Sequence, residues 1–243
     1  NKGYSENVED YMALRGKSPK LAKPARPRIV AFGPPGVGKT WACLDWPNAY
    51  LIDCEGGASL PHYVKRLEES GSLYMGPEDG ANDFKVVLKE VLTLSTEKHD
   101  PKTLVIDSFT KLFTTAIQVE LDRMATAGEK PAFGSEKKPA VGMTRQLIAR
   151  LDNLDMNVII ICHEKGEWQG GEEVGRTFDA YDKLGYEFNL VCQISKQGKS
   201  RKAHVIKSRY QTFEENSHLE WTYAEFSKRF NIKDLEATSK RVE

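Results

Sequence analysis

The chain has no C-x-x-C pair, no long apolar run and no excess charge of either sign. Its four cysteines, Cys43, Cys54, Cys162 and Cys192, are scattered, and three sit in or beside apolar runs where cysteine behaves as a small hydrophobe. They read as reduced core residues of a cytoplasmic protein. No stretch approaches the roughly 20 apolar residues of a membrane span, so no membrane association is expected. The start of the chain has no signal-peptide core and no Met, which suggests that its first residue or more is missing or removed. With 35 basic and 35 acidic residues, nucleic-acid binding would have to come from local patches rather than bulk attraction.

What is present is an ordinary globular composition, 40% hydrophobic and 29% charged over 243 residues, long enough for one large domain or two small ones, with one α/β domain the simplest expectation. Three regions are expected. Residues 1–27 form an N-terminal segment in which Val8, Tyr11, Met12 and Leu14 could line one helical face, followed by a basic, proline-punctuated linker that is a solvated tether or an oligomerisation arm. Residues 28–230 form the core, and 231–243 a polar tail. Within the core, strands are expected at 28–33, 49–54, 103–107, 157–162, 188–195 and 202–207. Helices are expected at 39–46, 60–70, 82–98, 108–127 and 142–154. This alternation implies an α/β fold with a mostly parallel sheet flanked by helices. Two segments, 126–142 and 164–178, read as long loops, which in a compact domain are functional or disordered.

The strongest local signal is "GPPGVGKT", with Gly33, Gly38, Lys39 and Thr40 at P-loop spacing between a strand and a helix. Gly33, Pro34, Pro35, Gly36, Val37, Gly38, Lys39, Thr40 and Trp41 are the candidate phosphate-binding run. Backbone N–H groups would wrap the phosphates of ATP, Lys39 would reach the β/γ-phosphates, and Thr40 would ligate Mg²⁺. "LVIDS" ends a strand on Asp107, a Walker B carboxylate for the Mg²⁺ hydration shell. "LIDCEGG" ends another on Glu55, which is either a turn residue before two glycines or the base that orients water for in-line attack.

In this order the motifs "GPPGVGKT", "LIDCEGG", "LVIDS" and "NVIIICHEK" resemble the RecA/Rad recombinase core of P-loop NTPases. They are more similar still to the phage-encoded Sak-type single-strand annealing proteins, over about residues 28–210. The resemblance implies a RecA-like fold with Glu55 as the water-activating residue and His163 in the γ-phosphate sensor position, where recombinases usually carry glutamine. It also implies that Lys207 and Arg209, in "AHVIKSRY", reach ATP bound by an adjacent subunit; as residues alone they equally suit a basic strand edge.

The two long loops fall where the recombinases hold their DNA-binding loops. Lys130, Phe133, Lys137 and Lys138 in the first, and Lys165, Trp168 and Arg176 in the second, could track a phosphate backbone and stack on bases. The implied activity is DNA-stimulated ATP hydrolysis by an oligomer or filament on single-stranded DNA, with a single-strand-binding protein as a possible partner. A replication motor or helicase loader working through a protein partner is the alternative reading, and a small-molecule kinase is the weakest, since neither loop is an arginine-rich lid. No separate DNA-binding domain is visible at either end.

Overall fold

The computed structural model describes residues 26–237; the proposed helical face of the first 14 residues and most of the basic linker lie outside them. An eight-stranded sheet runs in the order β10-β9-β8-β1-β5-β4-β2-β3. Its strands are β1 (Arg28–Phe32), β2 (Ala49–Asp53), β3 (Leu73–Met75), β4 (Thr103–Asp107), β5 (Asn157–Cys162), β8 (Leu190–Gln197), β9 (Ser200–Ser208) and β10 (His218–Glu220). The pairs from β3 to β8 are parallel, while β8–β9 and β9–β10 are antiparallel.

The apolar runs explain the layering. Side chains alternate across a strand, so Val30 and Phe32 of β1 face one core layer and Ile29 and Ala31 the other. Every residue of β5 is buried, as expected for a central parallel strand covered on both faces. The first layer packs under α3 (Phe84–Thr96), α4 (Phe109–Thr126) and α5 (Lys138–Asp152), and the second under α1 (Lys39–Cys43), α2 (Pro61–Glu69) and α7 (Tyr223–Ser227). Burying each large aliphatic side chain in these layers contributes about 1.5–3 kcal/mol. All four cysteines are buried and unpaired.

Three sequence expectations change. Segment 164–178 is a β-hairpin, not a loop: β6 (Glu164–Gln169) pairs with β7 (Glu172–Phe178) in a separate two-stranded sheet, turned at Gly170 and Gly171, both at positive φ. Its mixed charges hid the strand pattern, because neither face alternates cleanly between apolar and polar residues. Segment 126–142 is mostly ordered: α5 begins at Lys138 with Pro139 in its first turn, where proline's missing N–H costs nothing. The 231–243 tail opens as part of the packed body. Asn231 caps α8 (Ile232–Glu236), Leu235 is fully buried, and its carbonyl accepts from Asn157 Nδ2 at 2.9 Å. Arg26, from the expected linker, pairs with Asp155 at 2.9 Å and donates to the Ala237 carbonyl.

Parallel strands bring their carboxyl ends to one edge, and the crevice there is where such sheets bind ligands. Asp53 and Asp107 are register partners across β2 and β4, and Phe32 and Cys162 across β1 and β5. Gly33, Glu55, Ser108 and His163, which follow these strand ends, therefore lie side by side.

Candidate functional site

The P-loop leaves β1 at Gly33. A Cβ there would meet the Ile194 carbonyl oxygen at 2.3 Å, so only glycine lets the loop press against β8. Gly38, at φ 85°, turns the chain into α1. α1 has only five residues, which leaves the loop's N–H groups and Lys39 as the main positive elements. Lys39 is nearly buried, 8% exposed, and its Nζ donates to the carbonyls of Gly33 at 2.8 Å and Pro34 at 2.9 Å. Burial lowers its pKa, with Asp107 and Glu55 opposing. Behind it, the buried Trp221 donates its indole N–H to the Lys39 carbonyl at 3.2 Å.

Thr40 Oγ1 donates to Asp107 Oδ2. Burial raises the Asp107 pKa from 3.8 to about 6, with Asp53 and Glu55 adding to the rise and the Thr40 hydrogen bond and Lys39 opposing it. A hydroxyl beside a carboxylate suits a hard cation such as Mg²⁺, which keeps several waters and takes few protein ligands. Among the described residues no cluster of three or more His, Cys, Asp or Glu forms a protein-only cage.

Glu55 stands at the tip of β2 because Asp53 holds its loop. The buried Asp53 carboxylate accepts from the N–H of Glu55 at 3.2 Å, Gly56 at 2.9 Å and Ala58 at 2.7 Å, and from the Tyr74 hydroxyl at 3.2 Å. Glu55 Oε1 accepts from Ser108 Oγ and lies 2.7 Å from His163 Nε2. Oε2 keeps no protein partner among the described residues, so it can accept a water. His163 is held in turn: its N–H donates to Thr110 Oγ1 at 2.9 Å, and that hydroxyl donates to the Asp179 carbonyl at 2.6 Å.

These groups line a cleft of about 480 Å³. Of the candidate residues, Gly33, Pro35, Gly36, Gly38, Lys39, Thr40, Glu55, Asp107 and His163 all face it, joined by Asp53, Tyr63, Glu164 and Arg176. Pro34 contributes its carbonyl to Lys39, and Val37 is buried in the second core layer. Trp41 instead lines a neighbouring hollow with Lys199 and Arg201, under the Arg66 guanidinium 4.3 Å from its ring centre.

Arg176, grouped by sequence with the DNA candidates, looks into the nucleotide cleft. Its companion Lys165 is held by Asp179 at 3.7 Å and Asp182 at 3.3 Å, while Trp168 is 64% exposed on the hairpin. Lys130, Lys137 and Lys138 are exposed and Phe133 fully so; none of the four lines the cleft. Lys207 and Arg209 lie away from it too. Lys207 Nζ donates to the carbonyls of Gly185 at 2.5 Å and Phe188 at 2.7 Å, and Arg209 to that of Tyr186 at 2.8 Å, so both hold the end of α6 (Leu184–Glu187).

Sequence reasoning passed over Asp53 and Ser108. Both left a signal: Asp53 precedes Glu55-Gly56 at the spacing of an Asx turn, and Ser108 is the N-cap of α4, accepting from Lys111 N–H at 3.2 Å.

Solved proteins of similar structure include two of low sequence identity. A RadB recombinase aligns at 18% identity with a TM-score of 0.48, over 90% of this chain and 92% of that one. A DnaB-like replicative helicase, solved to show its interactions with primase, aligns at 11% identity with a TM-score of 0.50, over 80% of this chain and 56% of that one. The likeness to the helicase is one of fold, a RecA-like P-loop core. No curated protein matches the sequence. The family described as AAA domain matches residues 25–220, four-fifths of the sequence and all of the cleft, and the chain belongs to that AAA domain family.

Proposed function

We propose that the chain is a Mg²⁺-dependent ATPase acting on single-stranded DNA in recombination or annealing, of the Sak type its motifs resemble, with ATP bound between subunits of an oligomer or filament. The observation that carries the hydrolytic part is Glu55, a carboxylate pinned through Oε1 in the lining of a cleft that also holds Lys39 and the Thr40–Asp107 pair.

Thr40 and Asp107 would hold Mg²⁺, which neutralises charge on the β/γ-phosphates when bound. Lys39 exchanges the Gly33 and Pro34 carbonyls for phosphate oxygens. Glu55 Oε2 takes a proton from the attacking water, a role that contributes about 10²–10⁴-fold in rate, while Ser108 and His163 fix its orientation. Lys207 and Arg209 of a neighbouring subunit would complete the charge stabilisation, having left the α6 carbonyls that hold them in the monomer.

The DNA part is supported by Phe133. It stands fully exposed at φ 51°, a left-handed conformation that costs about 1–2 kcal/mol for a side chain of this kind, and Lys130, Lys137 and Lys138, close by in sequence, are exposed too. An aromatic held outward among lysines suits base stacking beside a phosphate track. The test is ATP turnover with and without single-stranded DNA, together with anisotropy of a labelled oligonucleotide across a salt series. DNA-stimulated turnover and salt-sensitive binding support the reading; turnover with no DNA binding overturns its DNA part.

One observation favours a second reading. The cations of the hairpin are all spent on carboxylates, Lys165 on Asp179 and Asp182, Arg176 on Glu164 and Glu173. A loader or replication motor that works through a protein partner needs no free cations there, and ATP turnover that depends on an added protein would favour it.

A further inference from the structure

The hairpin β6–β7 carries a feature that nucleotide hydrolysis alone does not require. Its strands pair Glu164 with Phe178, Gly166 with Arg176 and, past an irregularity, Trp168 with Glu173. One face therefore carries in sequence Phe178, Arg176, Glu173 and Trp168. Phe178 anchors this face in the core, edge-on to Phe32 at 6.0 Å. Arg176 comes next and looks into the cleft, caged by Glu164 and Glu173 at 3.1 Å each. Gly166 is the gap the outer side chains fill: a Cβ there would meet Trp168 Nε1 at 2.8 Å and the Glu173 carboxyl carbon at 3.0 Å. The cleft, the arginine, its carboxylate and the exposed indole thus form one contiguous chain of contacts.

Resting on the ATPase reading, we propose that Arg176 is a triphosphate-sensing ligand supplied by the same subunit, which exchanges Glu164 and Glu173 for the γ-phosphate and thereby resets the Trp168 face of the hairpin. The guanidinium is built for this exchange: it stays charged, and its planar fork binds carboxylate and phosphate bidentately with similar geometry. Two carboxylates hold it at the edge of the cleft when no phosphate is there. ATP offers a more highly charged partner, and ADP, lacking the terminal phosphate, does not. When Arg176 turns inward, Glu173 loses its partner beside Trp168 and the outer face rearranges.

The test compares the full-length wild type with Arg176→Ala and Glu173→Gln. Affinities for ADP and a non-hydrolysable ATP analogue are measured by calorimetry with Mg²⁺, and hydrogen exchange is followed over residues 164–178. The wild type should prefer the ATP analogue, with exchange in the hairpin differing between the two nucleotides. Arg176→Ala should weaken ATP-analogue binding roughly 10-fold while ADP affinity stays within about two-fold, which also certifies the fold, and its hairpin exchange should no longer depend on the nucleotide. Glu173→Gln, which loosens the cage, should widen the preference for ATP. An Arg176→Ala protein that keeps both the preference and the nucleotide-dependent exchange overturns the proposal and leaves the ATPase reading standing. A wild type that binds neither nucleotide overturns both.

Discussion

His163 Nε2 lies 2.7 Å from Glu55 Oε1, tying the tips of β5 and β2 together across β4. Both groups are about half exposed, so the contact contributes to geometry more than to stability. His163→Ala should slow turnover with little change in melting temperature. His163→Gln should recover much of the loss, because an amide can donate the same hydrogen bond. Equal turnover in the two variants would remove His163 as the group that orients Glu55.

Glu55→Gln should keep ATP affinity and lower steady-state turnover about 100-fold or more. Nucleotide binding and phosphate release, measured on one preparation, separate the two effects. Unchanged phosphate release would make Glu55 a turn residue.

Asp107 gives a pH dependence with a defined sign. Its folded pKa of about 6 lies above the unfolded 3.8, so the folded form holds the proton more tightly, and this group's contribution to stability rises as pH falls from above 6 towards 4. Asp107→Asn removes the buried charge. The variant without nucleotide should melt a few degrees above wild type at pH 7.5, the gap should narrow by pH 5, and Mg²⁺-dependent stabilisation by ATP should be lost. A gap that does not change with pH would show that the Asp107 charge is not the source.

Asp53→Ala should strip the acceptor from three N–H groups in the 55–58 loop. Thermal or urea unfolding should report a loss of at least about 2 kcal/mol, since buried donors are left unpaired, and turnover should fall further than nucleotide affinity. A variant with wild-type turnover would show that the loop holds Glu55 without Asp53.

Lys207 and Arg209 separate a structural role from an interfacial one. Lys207→Ala should lower stability by about 1–3 kcal/mol through the freed carbonyls of Gly185 and Phe188. Arg209→Ala should lower turnover while monomer nucleotide affinity holds, and mixing it with Lys39→Ala chains should restore some activity at mixed interfaces. No rescue would argue for a site complete within one chain.

The sequence made the strands of the sheet's centre legible because β1, β2, β4 and β5 are buried on both faces and read as apolar runs ending on Gly33, Glu55, Asp107 and His163. The motif spacing named many of the residues that line one cleft. The hairpin was illegible for the opposite reason: Glu164, Lys165, Glu167, Glu172, Glu173 and Arg176 satisfy one another rather than a core, so no hydrophobic period marks them. Only Gly170-Gly171 carried the signal, a two-glycine turn of the kind that closes hairpins. Arg176 was grouped with the loop cations because a linear reading sees a basic residue in a loop, whereas cross-strand pairing on the hairpin decides that it lines the cleft. α8 was missed because one side chain, Leu235, anchors five residues, too few for any periodicity.

The AAA domain match ends at residue 220, one position short of the indole that donates to the Lys39 carbonyl. A chain cut at that boundary would lose Trp221 and Phe226, whose rings meet edge to face at 5.2 Å, and would leave the Lys39 carbonyl without its indole donor. The carboxyl-terminal segment thus braces the P-loop lysine from behind through one buried indole.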